Sequence, residues 1–446
     1  MKSEGITGVL SAAARLGGDP VTVGLILVLA IVVIVIVARW PPLGLIALLI
    51  GSLIIPLSIG TGTQTQLNFT VIFLPLLIAV WLSRCVWSND WRWLRPRPNA
   101  ALLAFAAVAT LSLIVANVPS LAVAPTASLA AQLGGLSVFL LSAAVFVMVA
   151  DQIRDVRWLQ LMTVALLALG ALYVVRRVVP VLRAATAELF QPGSDGSLFW
   201  TWVVGLAFAQ AAFNRRLSAE MRVALATVVL TAFYAALTQN RSWAGGWLPP
   251  LIAVLVALCV GAPRLGVLAT LGGAAAAAWQ LSDVVGQLVS DDRYSLLTRL
   301  EAWRVVAQIA EANPLLGLGP ANYYHSTPMF PILGWNVHFS SHNTYVDIFA
   351  QTGLLGLACF LWFVWEVGRL GWRLLERAPV GFTHAYVVGA LAGLGGTLVA
   401  AMMGDWLLPF VYNVGLKGLR SSVLAWFFLG GLMALDRLIP PQSPPS

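Results

Sequence analysis

Charge is what this sequence has least of. Only 10% of its 446 residues are Asp, Glu, Lys or Arg, whereas 59% are hydrophobic, and the mean hydropathy is +0.87. No stretch is polar enough or long enough for a separate water-facing core, which excludes the two or three soluble domains that length alone suggests. Cysteine is scarce: Cys85, Cys259 and Cys359 all lie in or beside apolar segments, without metal-ligand spacing. Neither a disulfide nor a thiolate metal centre is expected from them. Nothing resembles a nucleic-acid module, so the formal net charge of +8 needs another explanation. Internal repeats of the kind that mark many transporters are also missing.

What is present is a succession of apolar runs of about 20 residues, the length that spans a bilayer. They fall at 21–38, 42–60, 66–83, 100–117, 128–150, 158–175, 198–213, 223–239, 244–261, 265–281, 346–367, 385–403 and 421–436. The expected fold is an all-α polytopic membrane bundle of about 12–13 transmembrane helices, a single integral-membrane domain over 1–446. Its one long extracytoplasmic loop covers 282–345 and contains an amphipathic helix. The Pro/Ser tail, 438–446, is expected to be disordered.

The positive-inside rule assigns sides. With Arg84, Arg92, Arg95 and Arg97 cytoplasmic, alternation also places Arg154, Arg157, Arg215, Arg216, Arg222, Arg264, Arg369, Arg373, Arg377 and Arg437 inside. Nine cations remain outside: Arg176, Arg177, Arg183, Arg241, Arg293, Arg299, Arg304, Lys417 and Arg420. Each alone reads as a solvated or snorkelling charge. Together, on the disfavoured face, they suggest an anionic ligand, and arginine suits the bidentate geometry of phosphate.

The long loop holds three of the four histidines, and loops this long in compact domains are usually functional. Within it, "LLTRLEAWRVVAQIAEANP" reads as an amphipathic helix with Leu296, Leu300, Trp303, Ala307 and Ala310 on the apolar face. Glu301, Arg304, Gln308 and Glu311 share the polar stripe. Arg299 falls about 50° from the centre of the apolar face and needs a partner. It therefore outranks Arg304. "NPLLGLG" is read as a Gly/Pro-shaped connector, not a phosphate-cradling loop.

"HFSSHNTYVD" closes the loop at the mouth of a span. Thr344 and Asp347 resemble a capping box, with Asn343 the alternative cap, and the helix begins just after His342. The positive end of that helix would keep His342 neutral, as a general base requires. His338 and His342 are spaced to share a helical face, but no catalytic Glu lies between them and no cysteine is near, so no metal is expected. From the residues alone, a capping role and a catalytic role for His342 stand about even.

The stretches "TQNRSWAGGWLPPL", "TRLEAWRVVAQIAEANPLLGLGPANYY" and "HNTYVDIFAQTGLLGLACFLWF" resemble the O-antigen ligase and polymerase superfamily, over roughly 230–365. The matching residues are Arg241, Arg299 with Trp303, Asn313 to Gly319, His342, Asn343, Tyr345, Gly353 and Gly356; Asn240 stands where Ser is common. The resemblance implies a membrane glycosyltransferase of the bacterial inner membrane with its active site on the extracytoplasmic face. A polyprenyl diphosphate-linked glycan would be the donor, and a glycan or lipid A-core the acceptor. No metal or other cofactor is implied. His342 would take the acceptor's proton, and Arg241 and Arg299 would hold the departing diphosphate, with inversion. Asn343, Tyr345, Trp303, Arg304, His338 and Tyr324 are the expected substrate-binding residues.

A lipid-linked oligosaccharide flippase would share the bundle and the cations. It would more naturally carry ionisable groups near span midpoints, which here are almost devoid of them. Asp405 and His384 are read as end-of-helix residues. Ligase, repeat-unit polymerase and protein O-oligosaccharyltransferase share donor and base, and the motifs lean to the ligase.

Overall fold

The structure, a computed structural model, describes residues 34–60, 66–94, 96–118, 125–187, 189–191, 193–279 and 293–439. Helices follow one another as α1 (Pro41–Ile54), α2 (Phe69–Ser88), α3 (Arg97–Ala116), α4 (Leu129–Gln152), α5 (Val156–Val178), α6 (Pro180–Ala185), α7 (Ser197–Phe213) and α8 (Ala219–Gln239). Then come α9 (Ala244–Gly261), α10 (Pro263–Trp279), α11 (Arg293–Ala310), α12 (Tyr323–Ser326), α13 (Thr344–Arg377), α14 (Phe382–Met403) and α15 (Leu419–Leu438). The all-α membrane fold expected from the sequence is borne out. Among the described residues nine helices are long and apolar enough to span, and α1 and α7 are apolar but shorter. The span expected at 21–38 lies mostly outside the described residues, as does most of the tail. The run at 42–60 ends earlier than expected, at Ile54, and its remainder forms β1 (Ser58–Gly60), antiparallel to β2 (Gln66–Asn68).

Helix starts follow local chemistry. Asn68, Ser128, Asp155 and Ser218 accept hydrogen bonds from the first-turn amides of α2, α4, α5 and α8, satisfying donors that a helix leaves open. Proline opens α1 and α6, where its missing N–H costs nothing. Pro249 and Pro250 sit inside α9 without breaking it; in a bundle, neighbouring helices supply the lost contacts.

Helix α15 is buried from Leu419 to Leu435 and packs mainly against α4, while α14 packs on α7 and α9, and α13 on α3. Arg420 lies at the start of α15, only 3% exposed. Its guanidinium donates to the carbonyls of Ser52, Ile55 and Leu57, each at 3.0 Å. Three carbonyls that the end of α1 leaves open are thus satisfied, and Arg420 is a fastener, not a member of the ligand-facing set.

The span expected at 346–367 is two helices joined by a break. Gly353 has φ +66° and ψ −168° within α13, and the connector 314–319 docks into the gap. Leu354 N donates to Pro314 O (2.8 Å), Leu318 N to Ala350 O (2.9 Å) and Gly319 N to Gln351 O (3.1 Å). Ser112 Oγ of α3 lies 2.5 Å from Leu316 O and 2.6 Å from Gln351 O. A Cβ on Gly353 would meet Leu315 O at 2.2 Å, and one on Gly317 would meet Thr352 N at 2.6 Å. These glycines permit backbone to lie on backbone. The connector is therefore a structural part of α13.

Helix α11 buries a different face from the expected one. Ala302, Val305, Val306, Ile309 and Ala310 are inside, and Leu300 is 47% exposed. The buried stripe is turned by about 100°, one residue step, from the apolar stripe in the sequence.

Candidate functional site

Everything at the site hangs on the start of α13. Asn343, 5% exposed, is the cap: its Oδ1 accepts from Tyr345 N (2.9 Å) and Val346 N (3.3 Å). Asp347 is not the capping-box partner. Its Oδ1 accepts from Tyr323 OH (2.6 Å) and lies 2.7 Å from Ser341 Oγ, which accepts from Asn343 N (3.0 Å). Trp303 Nε1 donates to Ser341 O at 2.8 Å. The residues flanking His342 are therefore held on both sides, and His342 itself takes φ +48°, the left-handed region. A non-glycine residue there costs roughly 1–2 kcal/mol, and such outliers cluster at functional sites.

His342 is exposed. Nδ1 lies 3.1 Å from Asn413 Nδ2, and Asn413 Nδ2 donates to Asp405 Oδ1 at 2.6 Å. Asp405, 1% exposed, also accepts from Phe410 N through Oδ2 (2.8 Å). Burial lowers the pKa of His342 below its ordinary 6.5; Arg299 lowers it further and Asp405 opposes both. The shift favours the neutral imidazole that the sequence analysis expected, with burial and not the helix dipole as its first cause. Burial raises the pKa of Asp405, against hydrogen bonds that favour its charge.

Arg299 is half-buried, and Nη1 reaches Met403 O at 3.4 Å. Its charge acts on His342. Arg304 is exposed and paired with Glu301 (2.6 Å), on the polar stripe as expected. Arg241 is exposed at the start of α9, its carbonyl accepting from Trp247 Nε1 (3.1 Å). Two residues on, Trp243 meets Trp406, the neighbour of Asp405, edge to face at 6.0 Å. Arg241 therefore stands at the same end of the bundle, one aromatic pair away. Tyr345 donates to Leu398 O (2.9 Å) within the bundle. The side chain of Arg293 lies outside the described residues.

His338 and Tyr324 stack at 4.8 Å, and Tyr324 stacks on Tyr412 at 4.5 Å. Tyr412 OH lies 3.1 Å from His325 Nε2. His338 faces this stack while His342 faces Asn413, so the two histidines do not share one face. Among the described residues, no three His, Cys, Asp or Glu side chains converge as a metal site requires. Sequence reasoning missed Asn413 and Tyr412 and took Asp405 for an end-of-helix residue. The available signal was a lone acid between two apolar runs.

Bundle and site define a multi-pass membrane protein with a hydrogen-bonded polar cluster at one end of its helices. Residues 207–361, about a third of the chain, match the family model described as O-antigen ligase. Over this stretch the chain is similar to the O-antigen ligase family. The match overlaps the motif block read from the sequence. No curated protein matches the chain significantly.

Proposed function

We propose that the protein transfers a glycan from a polyprenyl diphosphate carrier to an acceptor hydroxyl at the outer face of the bacterial inner membrane. His342 carries the reading: a strained imidazole at a helix mouth, linked through Asn413 to the buried Asp405 and within the electrostatic reach of Arg299. The acceptor oxygen attacks the anomeric carbon as His342 takes its proton. The bond from that carbon to the diphosphate oxygen breaks, and configuration inverts. Polyprenyl diphosphate leaves with growing negative charge, which Arg299 and Arg241 stabilise. The two guanidiniums would supply what a divalent cation supplies in other phosphoryl chemistry. The new imidazolium is offset by Asp405. The stack of His338, Tyr324 and Tyr412 offers a face for sugar rings, and Tyr412 adjoins Asn413 in the chain. Lipid A-core is the preferred acceptor, which makes the protein a ligase; a lipid-linked repeat unit would make it a polymerase.

The test is transfer by purified protein in EDTA, offered lipid A-core or the donor's own repeat unit, with His342→Ala beside wild type. Transfer that survives EDTA and falls at least about a hundredfold in His342→Ala supports the base, and the productive acceptor decides the subclass. Transfer abolished by EDTA, or unchanged in the variant, overturns the mechanism.

A further inference from the structure

A second cationic site stands apart from His342. Helices α5 and α8 both run toward the site end, and around their C-terminal ends Tyr173, Arg176, Arg177, Arg183, Gln239 and Asn240 line a cavity of about 500 Å³. Arg177 is committed to structure: it pairs with Asp195 at 3.0 Å, and its carbonyl accepts from Arg183 Nη2 (3.1 Å) and Gln239 Nε2 (3.0 Å). Arg176 lies 5.4 Å from the rings of both Tyr173 and Phe190, which fix its position without using its N–H groups. Arg183 is exposed on α6 and uses one nitrogen. Arginine at a helix C-terminus is favourable by itself. That accounts for Arg177, but not for three guanidiniums around one cavity with one paired carboxylate among the described residues.

Lower on the same two helices runs an apolar groove of about 340 Å³, lined by Val164, Leu167 and Ala171 of α5 and Met221, Leu225 and Val228 of α8. Val164 is 61% exposed and Leu230, nearby on α8, is 70% exposed, as side chains facing lipid are. From Val164 to Arg176 is about 18 Å along α5. A hydrocarbon chain in the groove would thus end in a cationic cavity. Among the described residues, three guanidiniums against Asp195 leave two positive charges, which matches a diphosphate diester with two negative charges better than a phosphodiester with one. The next residue after Asn240 is Arg241.

We propose that the α5/α8 groove and the Arg176–Arg177–Arg183 cavity form a loading site for a polyprenyl diphosphate lipid, from which the donor passes to Arg241. The inference rests on the donor named above. The isoprenoid tail lies between α5 and α8, Arg176 and Arg183 hold the diphosphate, and Asp195 with Tyr173 anchors Arg177 behind them.

The experiment measures geranylgeranyl diphosphate binding to full-length protein in detergent, by native mass spectrometry, for wild type, Arg176→Ala/Arg183→Ala, Arg176→Lys/Arg183→Lys, Ala168→Trp and His342→Ala. Ala168 also lines the groove and is exposed, so tryptophan there fills the groove without entering the core. Expected are a loss of about tenfold or more in the double alanine variant, partial rescue by lysine, and weaker binding in Ala168→Trp. Inorganic pyrophosphate should bind wild type and Ala168→Trp alike, and His342→Ala should bind the lipid as wild type does. Unchanged binding in the double alanine variant overturns the site. Equal displacement by phosphatidylglycerol overturns it too, in favour of a general anionic-lipid surface. The two readings fail separately. Normal transfer with arginine-independent binding removes only the loading site; arginine-dependent binding without transfer to any acceptor removes only the transfer reaction.

Discussion

Arg420 and Arg299 lie at the same end of the bundle and both reach across to backbone carbonyls. Arg420 is buried and places two of its nitrogens on three carbonyls at 3.0 Å. Arg299 is half-buried and makes one long contact, 3.4 Å to Met403 O. A guanidinium has five N–H donors in a fixed fork. Among the described residues, one arginine uses its fork to close the fold, while the other is tied to the backbone by a single long contact. The number of bonds a guanidinium makes, more than its charge, separates the fastener from the cation proposed to hold the diphosphate.

Four expected outcomes test that contrast. Arg299→Gln should lower transfer about a hundred- to a thousandfold while the thermal midpoint of the purified protein stays near wild type; a parallel loss of stability would make Arg299 a second fastener. Arg420→Ala should do the reverse, losing about 3 kcal/mol of stability in denaturant titration because three carbonyls lose their donor, with turnover per folded molecule retained. Gly353→Ala should destabilise by more than the roughly 1–2 kcal/mol of a left-handed residue, since the added carbon also meets the docked connector; the same titration measures it. The smallest effect is on pH. A neutral base works above its pKa, so transfer should be flat near neutrality and fall with acid through a midpoint below 6.5. Arg299→Gln should move that midpoint up and Asp405→Asn should move it down. Shifts of the same sign in rate profiles would remove the electrostatic link between these groups and His342.

The spans and the position of Asn343 were legible because hydropathy and capping are local properties. Arg299 was singled out too, though the helical wheel that selected it was turned from the true buried face: Leu300, placed on the expected apolar stripe, is exposed. In a membrane, apolar side chains are stable facing outward, so hydrophobicity marks the lipid as readily as the interior. The break at Gly353 was hidden because a glycine in an apolar run reads as ordinary helix. Asp405 and Asn413 reach His342 from far along the chain, and no periodicity connects 342 with 405 and 413. Arg420 passed for a solvated charge because its three acceptors are main-chain atoms, which carry no residue-type signal.

The left-handed backbone at His342 sets folding against activity at one position. Glycine adopts φ +48° without steric cost, so His342→Gly should relax the chain while removing the imidazole. A selection for expression or thermal resistance alone would then enrich inactive proteins at this codon. Directed evolution of this bundle has to score turnover from its first round.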